Sequence, residues 1–109
     1  GIKKEKFKKY LILGDMLELG HKSEKYHKDL SKVINNSNID KVFIKGKETL
    51  FTYKNLHKSK QGNILQNKDD IDLILSNIIN NNDYLMIKGS NATGLNNLSK
   101  KMIRGLNVI

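Results

Sequence analysis

Few residue combinations in this 109-residue chain could carry out chemistry, and most of them fail on spacing. The three histidines, His21, His27 and His57, do not fall in a metal-ligand pattern, and no cysteine supports them, which argues against zinc. Ser90, His27 and Asp15 provide the residue types of a nucleophilic triad, but nothing in their separation favours one. Gly46-Lys47-Glu48-Thr49 is similar to the end of a phosphate-binding loop, yet Lys41 stands where the first glycine is required. Gly89 and Gly94 have the right separation for such a loop, and Leu95 stands where its lysine belongs. No GxGxxG run follows an apolar segment, so a dinucleotide fingerprint is missing too. Two short clusters remain as candidates. One is Gly14-Asp15-Met16 with Glu18, and the other is Lys88-Gly89-Ser90 with Asn91.

Both clusters follow short apolar runs, and the surrounding pattern explains why. Tyr10-Leu11-Ile12-Leu13 is continuous and apolar, as expected for a strand buried on both faces. Tyr26, Leu30, Val33 and Ile34 then recur at helical spacing, and Asn35-Asn36-Ser37-Asn38 ends that helix. Val42-Phe43-Ile44 predicts a second strand closing at Gly46, followed by a helix from Glu48 to Leu56 carried by Leu50, Phe51 and Leu56. Ile64-Leu65 is a minimal third strand. Ile71, Ile74, Leu75 and Ile78 form the clearest helical stripe, with Asn67 as N-cap and Asp69 and Asp70 in the first turn. Tyr84 to Ile87 is the fourth strand. A last helix carries Leu95, Leu98 and Met102 and ends at Gly105.

The order is βαβαβαβα with short connections. Strands separated by helices cannot pair as hairpins, so the expected fold is a Rossmann-like, three-layer α/β domain with a mainly parallel sheet. Such sheets bind ligands beyond the carboxyl ends of their strands. Those ends are Gly14-Asp15-Met16, Lys45-Gly46-Lys47 and Lys88-Gly89-Ser90.

Composition sets the outer limits. The chain is long enough for one core and too short for two. No apolar run approaches the ~20 residues of a membrane-spanning helix, and the basic start, Gly1 to Lys6, lacks the apolar stretch of a signal peptide. The absence of cysteine fits a reducing compartment, and cytoplasmic is the simplest expectation. The net charge of +9 raises the possibility of a nucleic-acid partner. The excess is nearly all lysine, scattered along the chain with Arg104 as the sole arginine, so a solvated surface is the better expectation. Asn35, Asn91 and Asn97 match the glycosylation pattern by chance.

The first cluster is longer than a turn needs to be. Gly14-Asp15-Met16-Leu17-Glu18-Leu19-Gly20, followed by Glu24 and His27, resembles the signature GDM-x-ELG…E-x-x-H of the MurF branch of the Mur ligases. That family carries Lys-Gly-Ser about sixty residues later, after a strand, and Lys88-Gly89-Ser90 stands here in the same order and spacing. The resemblance runs from Lys9 to Arg104. It implies an ATP-dependent amide ligase that joins D-alanyl-D-alanine to UDP-MurNAc-tripeptide. Its three domains hold the UDP-sugar, the ATP and magnesium, and the incoming amino substrate. Residues 1–109 resemble the third, C-terminal domain alone, lacking its first strand and helix and the two preceding domains. The resemblance therefore implies that the chain has no activity by itself. ATP and Mg2+ would be cofactors of the full-length ligase and not tightly bound here. The expected partners are the two substrates and the central ATPase domain, with no membrane and no nucleic acid. A ligase adding a single amino acid, or a free-standing basic module binding a polyanion, is the alternative.

By this resemblance Gly14, Asp15, Met16 and Glu18, with Lys88, Gly89, Ser90 and Asn91, face the cleft where the dipeptide enters. Lys88 would attract its carboxylate, Ser90 or nearby helix-start amides would donate hydrogen bonds, and Asp15 or Glu18 would hold its ammonium group. Structural readings stand beside these. Asp15 could bond backbone amides in a turn, and Ser90 could cap a helix. Glu24 and His27, three residues apart on one helix, suggest a structural pair tying that helix to the first loop. Met16, Leu17 and Leu19 would pack the loop onto the sheet. Many relatives follow Lys-Gly-Ser with arginine, or with asparagine and glycine; Asn91-Ala92-Thr93-Gly94 departs from that, and the missing arginine would remove one carboxylate clamp.

Overall fold

The computed structural model describes residues 7–80, 83–89 and 107–108. Five parallel strands, β1 (Lys9–Gly14), β2 (Lys41–Lys45), β3 (Gln61–Leu65), β4 (Tyr84–Lys88) and β5 (Asn107–Val108), form one sheet. Their order is β3-β2-β1-β4-β5. Helices α1 (Ser23–Asn35), α2 (Thr49–Tyr53) and α3 (Lys68–Asn77) connect the first four. The parallel α/β architecture expected from the pattern is present. β5 is an addition to it, and the last expected helix, with Leu95, Leu98, Met102 and Gly105, lies outside the described residues.

β1 is central, hydrogen-bonded to β2 on one side and β4 on the other. Its alternating side chains therefore feed two cores. Tyr10 and Ile12 join Phe43, Leu65, Ile74, Ile79 and Leu85 on the α3 face. Leu11 and Leu13 join Val42, Ile44, Ile34 and Leu56 on the face covered by α1 and α2. This two-sided burial is why β1 reads as an unbroken apolar run. Two aspartates hold its start. Asp40 accepts the Lys9 amide at 2.8 Å, and Asp83 accepts that of Lys8 at 3.0 Å and that of Asn80 at 2.9 Å. The Tyr10 ring stacks on Phe43 with centroids 5.9 Å apart. Burial, with Asp83 and then Asp40 nearby, raises the pKa of its phenol above the usual value.

The helix after β1 corrects one expectation. Val33 is 67% exposed, and the buried residues of α1 are Ser23, His27, Ser31 and Ile34. The packed face keeps Ile34 and the partly buried Leu30 of the expected stripe but also takes in Ser23, His27 and Ser31, and α2 meets α1 through a polar contact. The Thr52 hydroxyl, itself buried, donates to the His27 carbonyl. α2 is shorter than expected. It ends at Tyr53, and Leu56, reached through a turn, still packs into the core. The Asn35 side chain joins the end of α1 to this turn, donating to the Asn55 carbonyl and accepting from the His57 amide, both at 2.9 Å.

β3 begins at Gln61, three residues before the expected Ile64, because its first positions are polar or glycine and half-buried at the sheet edge. α3 starts as expected. Asn67 accepts the Asp70 amide while the Asp70 carboxylate accepts that of Asn67, a reciprocal capping box. Asn67→Ala should cost about 1 kcal/mol, read as a lowered midpoint in urea unfolding followed by circular dichroism. An unchanged midpoint would mean that the cap contributes nothing.

Candidate functional site at the strand ends

The chain leaves β1 toward β2 on one side and leaves β4 toward β5 on the other. The boundary between β1 and β4 is thus the topological switch point of the sheet, the place where sheets of this class bind ligands. The two clusters singled out in the sequence terminate these two strands. Leu13 is in register with Lys88, so Gly14 and Gly89 follow side by side. Their backbones are in contact. A Cβ on Gly89 would lie 2.9 Å from the Gly14 Cα and 3.0 Å from its nitrogen, and Gly89 has φ 154°. Only glycine fits there. Lys88 is exposed at the rim; Ser90 and Asn91 lie outside the described residues.

Asp15 points toward the neighbouring loop, the one that follows β2. Its carboxylate accepts the Thr49 amide at 2.9 Å, at the start of α2. Gly46, with φ 115°, leaves room for it, since a side chain there would overlap the carboxylate itself. The Thr49 hydroxyl closes the same turn by donating to the Gly46 carbonyl at 2.8 Å. One carboxylate therefore joins the loops that follow β1 and β2, as the Asx-type reading anticipated but with a distant partner.

Met16 is held from the other direction. Its amide donates to Nε2 of the fully buried His27 at 3.1 Å. The histidine does tie α1 to the first loop, although not with Glu24, which is exposed. Its partner is Ser23, one helical turn earlier. Ser23 in turn donates to the Glu48 carboxylate at 3.1 Å. Beyond Met16 the loop bears outward, with Leu17 43% exposed and Glu18 exposed. Glu18 has φ 65°, a left-handed conformation that bulky residues rarely adopt. Backbone of this kind concentrates at functional loops.

Ser23, Gly46, Glu48 and Thr49 were not among the expected site residues. Only Gly46, closing a strand, carried a local signal; the others act across gaps of 25 to 34 residues. Among the described residues no three of His, Asp and Glu gather as metal ligands, and no helix is long and apolar enough to cross a membrane. A cleft of about 330 Å³, lined by Lys9, Tyr10, Asn38, Ile39, Tyr84 and Met86, lies at the opposite, amino-terminal ends of the strands. It contains none of the cluster residues.

No family model matches the chain. Individual relatives do. It is 34% identical over 100 residues to the UDP-N-acetylmuramoyl-tripeptide–D-alanyl-D-alanine ligase of Bacillus subtilis, covering 88% of this chain and 22% of that protein. The ligase of the same name from Buchnera aphidicola is 33% identical over 98 residues, covering 88% of this chain and 21% of its own length. That of Rickettsia prowazekii is 27% identical over 87 residues, covering 80% and 19%. Over most of its length the chain is thus similar to UDP-N-acetylmuramoyl-tripeptide–D-alanyl-D-alanine ligases, of whose own length it spans about a fifth.

Proposed function

We propose that the chain is the third, C-terminal domain of an ATP-dependent ligase of peptidoglycan synthesis, and that its β1 and β4 ends receive the incoming D-alanyl-D-alanine. The observation behind this reading is the meeting of the two clusters at the one point where the sheet opens. In the reaction, the tripeptide carboxylate takes the γ-phosphoryl group of ATP and releases ADP. The dipeptide amine, having lost a proton, attacks the acyl carbon, an amide forms and phosphate leaves. ATP and magnesium belong to the central domain in this reading, and this chain's residues serve the amine side.

In this reading the roles divide. Lys88, exposed at the rim, is the cation for the dipeptide carboxylate. Asp15 has its carboxylate engaged by Thr49, so it shapes the site, and Glu18 is the carboxylate left to meet an ammonium group. Gly14 and Gly89, packed backbone to backbone, carry no side chain to keep substrate off the strand ends. Closure of the domain over the central one would then bring the amine to the acyl phosphate.

The test is a ligase assay on the full-length enzyme with UDP-MurNAc-tripeptide, ATP, magnesium and D-alanyl-D-alanine. Lys88→Ala should raise KM for the dipeptide roughly 10–100-fold, the worth of a charged hydrogen bond. Asp15→Asn keeps an acceptor for the Thr49 amide and should stay within about threefold of wild type, whereas Asp15→Ala should cost about 1–2 kcal/mol of stability. A Lys88→Ala enzyme with unaltered kinetics would return that cluster to a structural role. A folded full-length protein that makes no product would sink the assignment. DNA binding that falls steeply with salt would then bring the polyanion reading forward.

A further inference from the structure

We propose that His27 is a positioning residue for the incoming amino substrate. As the imidazole protonated on Nδ1, it fixes the arch of the β1–α1 loop through the Met16 amide. The inference rests on the reading of the strand ends as the dipeptide site.

The tautomer follows from the donors. A backbone N–H can only donate, so Met16 requires the lone pair of Nε2, 3.1 Å away. The proton is therefore on Nδ1, which donates to the Ser23 carbonyl at 2.8 Å. Ser23 Oγ, 3.2 Å from Nδ1, gives its own proton to Glu48, so toward Nδ1 it can only accept, which agrees with a proton on that nitrogen. Tyr26 meets the ring edge-on at 5.4 Å, and Thr52 bonds the His27 carbonyl. A side chain that only filled this space would be better apolar, because a buried imidazole needs both nitrogens satisfied. Here both are, and one of the two bonds reaches out of the helix to the loop.

That bond sits at the base of the segment with the least other support. Asp15 is tied to Thr49, and the Leu19 carbonyl accepts the Lys22 amide. Between them Leu17 and Glu18 make no hydrogen bond among the described residues, and Glu18 keeps its left-handed backbone. The Met16–His27 bond therefore sets where the Glu18 carboxylate stands relative to Lys88 across the switch point. A misplaced positioning group costs rate without any loss of the group itself.

Two measurements test this. In the 15N-labelled chain, a coupling across the hydrogen bond should connect the Met16 amide nitrogen with His27 Nε2. In the full-length ligase, His27→Phe should raise KM for the dipeptide roughly tenfold while leaving KM for ATP within about twofold. His27→Gln, whose carbonyl oxygen can reach the Nε2 position, should restore the dipeptide KM to within about threefold of wild type. His27→Asn, too short to reach Met16, replaces the Phe variant if that one does not fold, with the same expectation. Ile34→Ala on the same helix face lowers stability without touching the loop and should leave the dipeptide KM alone. Absence of the coupling, a His27→Gln enzyme as impaired as His27→Phe, or an unaltered dipeptide KM in both Phe and Asn variants would each overturn the proposal. A wild-type ligase that makes no product would fail the underlying reading instead, whether or not the coupling is seen.

Discussion

Gly89→Ala is expected to destabilise the chain by about 2–4 kcal/mol. Two costs combine. A φ of 154° is strained for any residue with a side chain, and the new methyl would meet the Gly14 backbone at 2.9 to 3.1 Å. Neither can relax cheaply, because Gly14 is in the β1–β2 ladder and Leu13 in the β1–β4 ladder. A domain of this size should lose roughly 10–20 °C of Tm by scanning calorimetry. If the strands part to admit the methyl, the ends of β1 and β4 change shape as well. A Tm within a degree or two of wild type would mean that the Gly14–Gly89 contact is looser than described.

Phe43→Ala is expected to cost about 3–5 kcal/mol, the range for truncating a buried aromatic side chain. Phe43 is 1% exposed, stacks on Tyr10, and belongs to the core on the α3 face. Its ring also occupies the space over Gly62, where an added Cβ would come within 2.8 Å of two ring carbons. Gly62→Ala in the Phe43→Ala background should therefore do less harm than in the wild type. The rescue stays partial, because the Val42 carbonyl lies 2.8 Å from the same Cβ position. Urea unfolding of the two single variants and the double closes the cycle. Strict additivity would show that the ring and the glycine are not coupled. For a domain whose whole stability is of order 5–15 kcal/mol, the single Phe43 variant approaches the unfolding limit.

β1 and β2 were readable because each is buried on both faces and leaves an apolar run, as in Leu11 to Leu13 and Val42 to Ile44. The α1 face was misread for the opposite reason. Its contact with α2 uses the His27 carbonyl and the Thr52 hydroxyl, which a hydrophobic pattern does not register, while Val33 is apolar and exposed. β5 has two residues, too few for any periodicity. At the site, the clusters were identifiable as chemistry at strand ends. Their meeting was not, since it depends on β4 crossing to the far side of β1. Nor was the commitment of Asp15 to Thr49, 34 residues away, or the choice of Ser23 over Glu24 beside His27.

The central position of β1 also dictates a sequence of events in folding. Its ladder to β2 closes a separation of about thirty residues, while Lys9 and Tyr84, paired on its other side, are 75 residues apart. Closing longer loops costs more entropy before any contact compensates it, so the β1–β2–β3 half is the part that can form first. On a ribosome that half would emerge complete, with one edge of β1 open until Tyr84 to Lys88 follow. An open apolar edge of this kind invites pairing with another chain. The Gly14–Gly89 contact at the switch point is thus made only when this longest-range ladder closes, and slow or failed closure would yield a half-folded domain in which the two glycine-ended strands never meet.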